Sequence, residues 1–308
     1  MKIGVAAENF TKSEGKIDLK ALKDYIIKAD ELGFESVWTW DHLLLGSKKV
    51  FPVLDSLALL SYVSSITKRI RLGTLFINAL RDPLVAAKLV SSIDYLSGGR
   101  VVLAVAAGWY KKEFEAIGVD FERRGRVMVD NMKLMDRLLG QVDVNYSDGV
   151  RKYEHVTISP RPINRIPILM GGYVDAALKR VATYSDGWLS YYYGPGEFLQ
   201  SMTKVETYAR QADRDISHND DTDMVPIFVG NDKDEAKGKV IAFTQNYMDL
   251  PAWSKCSVES GLWGDIPSVI NKLREYEKAK VKRVVLIPAF YDTNQLDIIA
   301  GKIIPEFG

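Results

Sequence analysis

Apolar and polar positions along the chain follow two alternating rhythms. Short runs rich in β-branched and aromatic residues recur, each followed by a longer stretch whose apolar positions lie three and four apart. Residues 2–7 form the first short run. In 18–33, Leu19, Leu22, Ile26, Ala29 and Leu32 share one helical face, with Asp18 placed to cap the start and Gly33 the end. Residues 36–41 are the next strand and 54–67 the next helix. Strand 70–77 follows, and then a helix opening at Asp82-Pro83, where proline's missing N–H is harmless, and stopping at Ser97-Gly98-Gly99. Residues 100–106 are almost purely apolar, which predicts a strand covered on both faces.

After a broken helical region reaching Leu139, residues 142–160 depart from the rhythm. They read as a β-hairpin turning at Asp148-Gly149. Strands 166–170, 187–190, 224–229 and 283–287 then alternate with helices at 175–184, 196–212, 233–247, 265–279 and 294–304, interrupted by a Trp/Gly/Pro-rich loop at 250–264. Eight strands alternating with helices in 308 residues predict a single-domain (β/α)8 TIM barrel over 1–308, with a hairpin excursion and one loop insertion. A doubly wound sheet would call for a glycine-rich fingerprint after the first strand, where this chain has Glu8-Asn9-Phe10-Thr11-Lys12.

Composition narrows the function classes. Lys and Arg number 41 against 40 Asp and Glu, a formal charge of +1, which argues against a nucleic-acid or membrane-surface partner. The basic runs 68–71 and 278–283 read as solvated helix ends. A lone cysteine, Cys256, excludes an internal disulfide and a cysteine zinc cluster. With neither a leader nor an apolar run of about 20 residues, a cytoplasmic location is expected.

A parallel barrel keeps its chemistry at the C-terminal ends of its strands. Those ends supply Glu8-Asn9, Asp41-His42, Asn78, Ala107-Gly108-Trp109, Gly171-Gly172-Tyr173, Tyr191–Tyr193 and Gly230-Asn231. The set is rich in aromatics and glycine and poor in acids and bases. It holds one histidine, no metal-spaced carboxylate cluster, no GxSxG elbow and no strand-end lysine. A cofactor must therefore supply the reactivity. Gly171-Gly172 ahead of a helix suits a phosphate, and Trp38, Trp40, Trp109 and Tyr173 can wall a flat ring, although Trp38 also reads as core. His42 beside Asp41 reads either as a structural pair or as the reactive centre. His155 and His218 read as surface residues, and Ser97–Arg100 as a turn on the opposite face of the barrel.

Taken in order, these segments resemble the luciferase-like family of flavin- and deazaflavin-dependent oxidoreductases. The resemblance rests on Gly33-Phe34-Glu35-Ser36-Val37-Trp38 leading to Asp41-His42, Arg69–Thr74, Leu96–Arg100, Gly108-Trp109 with Glu113, Pro167–Gly172 and Tyr184–Trp188. It implies a ring bound across the barrel mouth and favours the branch using coenzyme F420. In that branch Asp41 contacts the cofactor and His42 stands beside the hydride-transfer centre. Asn78 matches a polar position near the ring, Leu75-Phe76 a non-prolyl cis peptide backing it, and Ala107, Gly108, Gly171, Gly172 and Val174 the cofactor and phosphate sites. Trp40 and Trp109 border the substrate pocket. Trp109 replaces the acid of the family's sugar-phosphate dehydrogenases, which implies an apolar or aromatic small-molecule substrate contacted by loops 43–53, 191–196 and 250–264. An FMN-dependent monooxygenase and a non-catalytic flavin-binding barrel are the alternatives. The oligomeric state stays open, a homo-oligomer included.

Overall fold

Capping side chains set the helix boundaries close to where the sequence puts them. Asp18 accepts the Ala21 N–H at 2.9 Å at the start of α1 (Leu19–Glu31), and Asp82 accepts Leu84 and Val85 N–H ahead of α3 (Pro83–Ser97). Gly98, in the left-handed conformation, ends α3. A computed structural model describes residues 1–11, 16–46, 51–246, 260–288 and 292–308.

The strands are β1 (Lys2–Ala6), β2 (Ser36–Trp40), β3 (Arg71–Phe76), β4 (Val101–Val105), the excursion pair β5 (Val144–Ser147) and β6 (Lys152–Val156), then β7 (Ile168–Gly171), β8 (Trp188–Tyr191), β9 (Thr222–Val229), β10 (Leu262–Gly264) and β11 (Arg283–Pro288). The order β1-β2-β3-β4-β7-β8-β9-β11, with β11 returning to β1, closes an eight-stranded parallel barrel. The helices named below are α2 (Ser56–Ile66), α4 (Lys111–Ile117), α5 (Arg124–Gly140) and α6 (Asp175–Tyr184).

Alternation along each strand separates two cores. Outward residues such as Val5, Val37, Leu72, Phe76, Leu103 and Trp188 pack under the helices. Inward residues Ala6, Trp38, Trp40, Ala104, Leu169, Leu189, Met224 and Ile287 fill the barrel. Trp38 fits because Gly73 on the neighbouring strand has no side chain: a Cβ there would stand 2.4 Å from the indole.

The hairpin forms as expected. Asp148 accepts Val150 and Arg151 N–H, which holds its carboxyl well below the ordinary range, and Gly149 takes φ +85°. Three expectations change. Part of the loop expected at 250–264 is a strand, since Leu262–Gly264 pairs in parallel with the last residues of β9; residues 250–259, with Cys256, lie outside the described residues. Arg283 is no solvated helix end. It opens β11, is fully buried, and pairs with Glu35 at 2.8 and 2.9 Å and with Asp220 at 2.6 Å. Burial alone would lower its guanidinium, but the two carboxylates outweigh that and raise it. Finally, the Leu75–Phe76 peptide is trans, since both residues continue the regular ladder with Ala104 and Val105; the cis bond among the described residues is Ser159–Pro160.

Candidate active site

A cavity of about 530 Å³ opens at the C-terminal ends of the strands, a size suited to a cofactor-sized ligand. Its inner end is walled by Trp40, His42, Leu75, Trp109, Leu189 and Tyr191. Its outer end is formed by Gly171–Val174 ahead of α6 and by arginines from α5 and α6.

His42 stands two residues beyond the end of β2 and is 5% exposed. Its Nδ1 lies 3.1 and 3.2 Å from the two carboxylate oxygens of Glu113, a fully buried residue on α4. Glu113 Oε1 also accepts the Leu43 and Leu44 N–H groups at 2.6 and 3.0 Å. The carboxylate thus fixes both the loop after β2 and the face of the imidazole. Nδ1–H donates to it, which leaves Nε2 as the other functional nitrogen. The Trp109 ring meets the imidazole edge-on, with centroids 5.5 Å apart.

Asp41 borders the same cavity, yet protein groups engage both its oxygens. Oδ1 accepts the Ser56 hydroxyl and Arg81 Nη2, and Oδ2 accepts the Ile77 N–H and Arg81 Nη1, all within 2.7–2.9 Å. Burial pushes the carboxyl above the ordinary range; Arg81, Ile77 and Ser56 pull against that. Arg81 reaches on to Asp55, the cap of α2, at 2.6 Å. This network fastens the ends of β2 and β3 to the start of α2.

The expected site residues divide cleanly. Trp40, Asp41, His42, Leu75, Ala107, Gly108, Trp109, Gly171, Gly172 and Val174 all line the cavity. Phe76 does not: strand alternation turns it outward, fully buried beneath the Arg81 guanidinium. Asn78 does not either. It sits in a buried turn, donating from Nδ2 to the Met128 carbonyl at 3.0 Å. Trp40 is fixed by donation from Nε1 to the Tyr191 hydroxyl at 2.8 Å, and Tyr173 donates its hydroxyl to the Tyr191 carbonyl at 3.0 Å.

Four residues gain roles that sequence reasoning did not give them: Glu113 as the imidazole's partner, Arg81 as Asp41's, and Arg124 and Arg180 on the outer wall. The run Glu122-Arg123-Arg124-Gly125-Arg126 was the one local signal, a concentration of charge across the start of a helix. Among the described residues no group of three or more His, Cys, Asp or Glu side chains could hold a metal ion, and no helix is long and apolar enough to cross a membrane.

The family profile described as luciferase-like monooxygenase matches residues 1–283. The chain is 27% identical to a 5,10-methylenetetrahydromethanopterin reductase of Archaeoglobus fulgidus over 226 residues, 72% of this chain and 65% of that protein. It is 26% identical to an F420-dependent glucose-6-phosphate dehydrogenase of Amycolatopsis mediterranei over 247 residues, 78% and 73% of the two chains. Other curated relatives are matched over 56% of their own length. In fold it is similar to a solved F420-dependent secondary alcohol dehydrogenase in complex with an F420-acetone adduct, with a TM-score of 0.85, 20% identity, and 100% and 99% of the two chains covered.

Proposed function

The chain belongs to the luciferase-like monooxygenase family, and on that footing we propose that it is an oxidoreductase passing a hydride between coenzyme F420 and a small apolar or aromatic organic substrate. The observation that carries this reading is the His42–Glu113 pair at the apolar end of the cavity. The similarity to an F420-dependent dehydrogenase over most of both chains supports the choice of cofactor.

The cavity fits such a group. Leu75, Ala106, Ala107 and Leu189 offer apolar walls for a flat ring, and Val174, at the cap position before α6, gives no side-chain cap, so the first N–H groups of α6 suit a phosphate. When bound, the deazaflavin supplies a carbon that takes or gives a hydride and resists oxygen. Glu113 holds the Nδ1 proton of His42, so Nε2 takes a proton from a substrate hydroxyl or returns one to a carbonyl. The ring edge of Trp109 limits how the imidazole turns and keeps that end of the pocket apolar. Asp41 acts at one remove, holding the backbone on which His42 stands.

Fluorescence titration of the purified protein with F420 and with FMN tests the cofactor. Tight F420 binding is expected. FMN binding alone, with oxygen consumption dependent on reduced FMN, would replace this reading with a monooxygenase. His42→Ala should keep F420 affinity and lose most turnover with short alcohols and ketones; an unchanged rate returns His42 to a structural role.

A further inference from the structure

We propose that the cavity has a second anion-binding subsite, seated on Arg180, Gly125 and Arg126, for an acidic group that the ligand carries beyond its phosphate; the proposal deepens the F420 reading and rests on it for the ligand's identity. The outer wall carries Arg123, Arg124, Arg126 and Arg180 against a single lining carboxylate, Glu122. Arg124 is already engaged, donating to the Gly108 and Phe121 carbonyls at 3.2 and 2.7 Å with its guanidinium over the Phe121 ring. Arg126 makes only a loose contact with Asp130, at 3.6 Å. Arg180 is half-buried, and among the described residues no carboxylate or carbonyl receives its guanidinium. Desolvating a guanidinium without a partner is unfavourable, so an arginine held this way is suited to an anion from outside.

Gly125 is the second sign. It lies in the first turn of α5, where glycine is a poor helix former and alanine would be better. A Cβ at that position would stand 2.8–3.1 Å from the guanidinium atoms of Arg180. The bare backbone is what lets Arg180 lie flat against α5. The guanidinium of Arg180 lies against Gly125 at the start of α5 rather than over the glycine turn that suits the phosphate. Within 4 Å of where a Gly172 side chain would begin stands Ala177, not Arg180. One phosphate at the turn therefore leaves the arginines between α5 and α6 for another anionic group, a carboxylate or a further phosphate.

The experiment compares wild type with Arg180→Ala, Arg126→Ala and Gly125→Ala against two ligands: FMN, whose side chain ends at its phosphate, and F420, whose side chain continues into carboxylates. Arg180→Ala is expected to weaken F420 binding about tenfold or more, as the loss of a charge-assisted contact does, and FMN by no more than about twofold. Gly125→Ala should weaken F420 binding in the same direction with an unchanged or higher melting temperature, which separates a lost seat from a lost fold. Equal weakening of both ligands would make Arg180 part of the phosphate site and overturn the proposal, as would no change in either. Calorimetric titration with tripolyphosphate and with inorganic phosphate reads the subsite without any cofactor. Wild type should prefer the polyanion, and Arg180→Ala should lose that preference. If F420 fails to bind while that preference persists, the cofactor reading falls and the subsite stands; absence of the preference in wild type overturns the subsite.

Discussion

His42 Nδ1 lies 3.1 Å from Oε2 of Glu113, a carboxylate 71 residues further along the chain that also receives the Leu43 and Leu44 N–H groups. One buried side chain thus sets both the tautomer of the imidazole and the path of the loop that carries it. Glu113→Gln keeps the shape but offers a single acceptor oxygen where three donors converge. Turnover should fall by about 10²-fold, the scale of a misdirected acid–base group, while cofactor affinity changes little. Steady-state kinetics beside a cofactor titration checks this; a loss of binding equal to the loss of turnover would assign Glu113 to the fold instead.

Arg81→Ala should destabilise the protein by about 3–5 kcal/mol, because it leaves the buried Asp41 carboxylate without its bidentate partner. Asp41→Asn should cost less, since an amide retains part of the hydrogen bonding with Ser56 and Ile77. Urea unfolding of the two variants gives the order directly.

Gly73→Ala should cost at least about 1–3 kcal/mol. The added methyl would stand 2.4 Å from the Trp38 ring, and that ring is packed inside the closed barrel and has nowhere to move. Thermal unfolding, with tryptophan fluorescence reporting the ring's surroundings, measures the loss.

Burial pushes Asp223 up to about 8, against the donated Ser190 hydroxyl at 2.7 Å, and Asp221 up to about 6. Both folded values lie above the unfolded carboxylate value, so the native state holds these protons more tightly. Their stabilisation is complete below about pH 4 and is lost as pH rises, to about 6 for Asp221 and to about 8 for Asp223. Between pH 6 and 8 the slope should come from Asp223 alone of the two, on the order of 1.4 kcal/mol per pH unit. Asp223→Asn should remove that slope and Asp221→Asn should keep it, as measured by denaturant unfolding at several pH values.

The barrel could be read from the chain because its signals are local. A period of two against 3.6, a cap such as Asp18 or Asp82 and a stop such as Gly98 each act within a few residues. Eight such strands place Asp41-His42 at the mouth wherever the partners turn out to be. Phe76 and Asn78 show the limit of the same logic. Phe76 ends the third strand and Asn78 follows it, but alternation along a trans backbone sends Phe76 outward, and the turn hides Asn78 beneath α5.

By itself, then, the sequence determined the alternating elements, the strand ends and the scarcity of acid–base groups, which singled out His42. The tertiary structure decided what each group faces. Parallel closure brings Glu113 to His42, Arg81 to Asp41 and Arg180 to Gly125 from 71, 40 and 55 positions away, and no local pattern encodes such pairings. The physical reason is that periodicity fixes which side of an element a residue occupies. The register between elements fixes its neighbour, and that register is set only when the whole barrel closes.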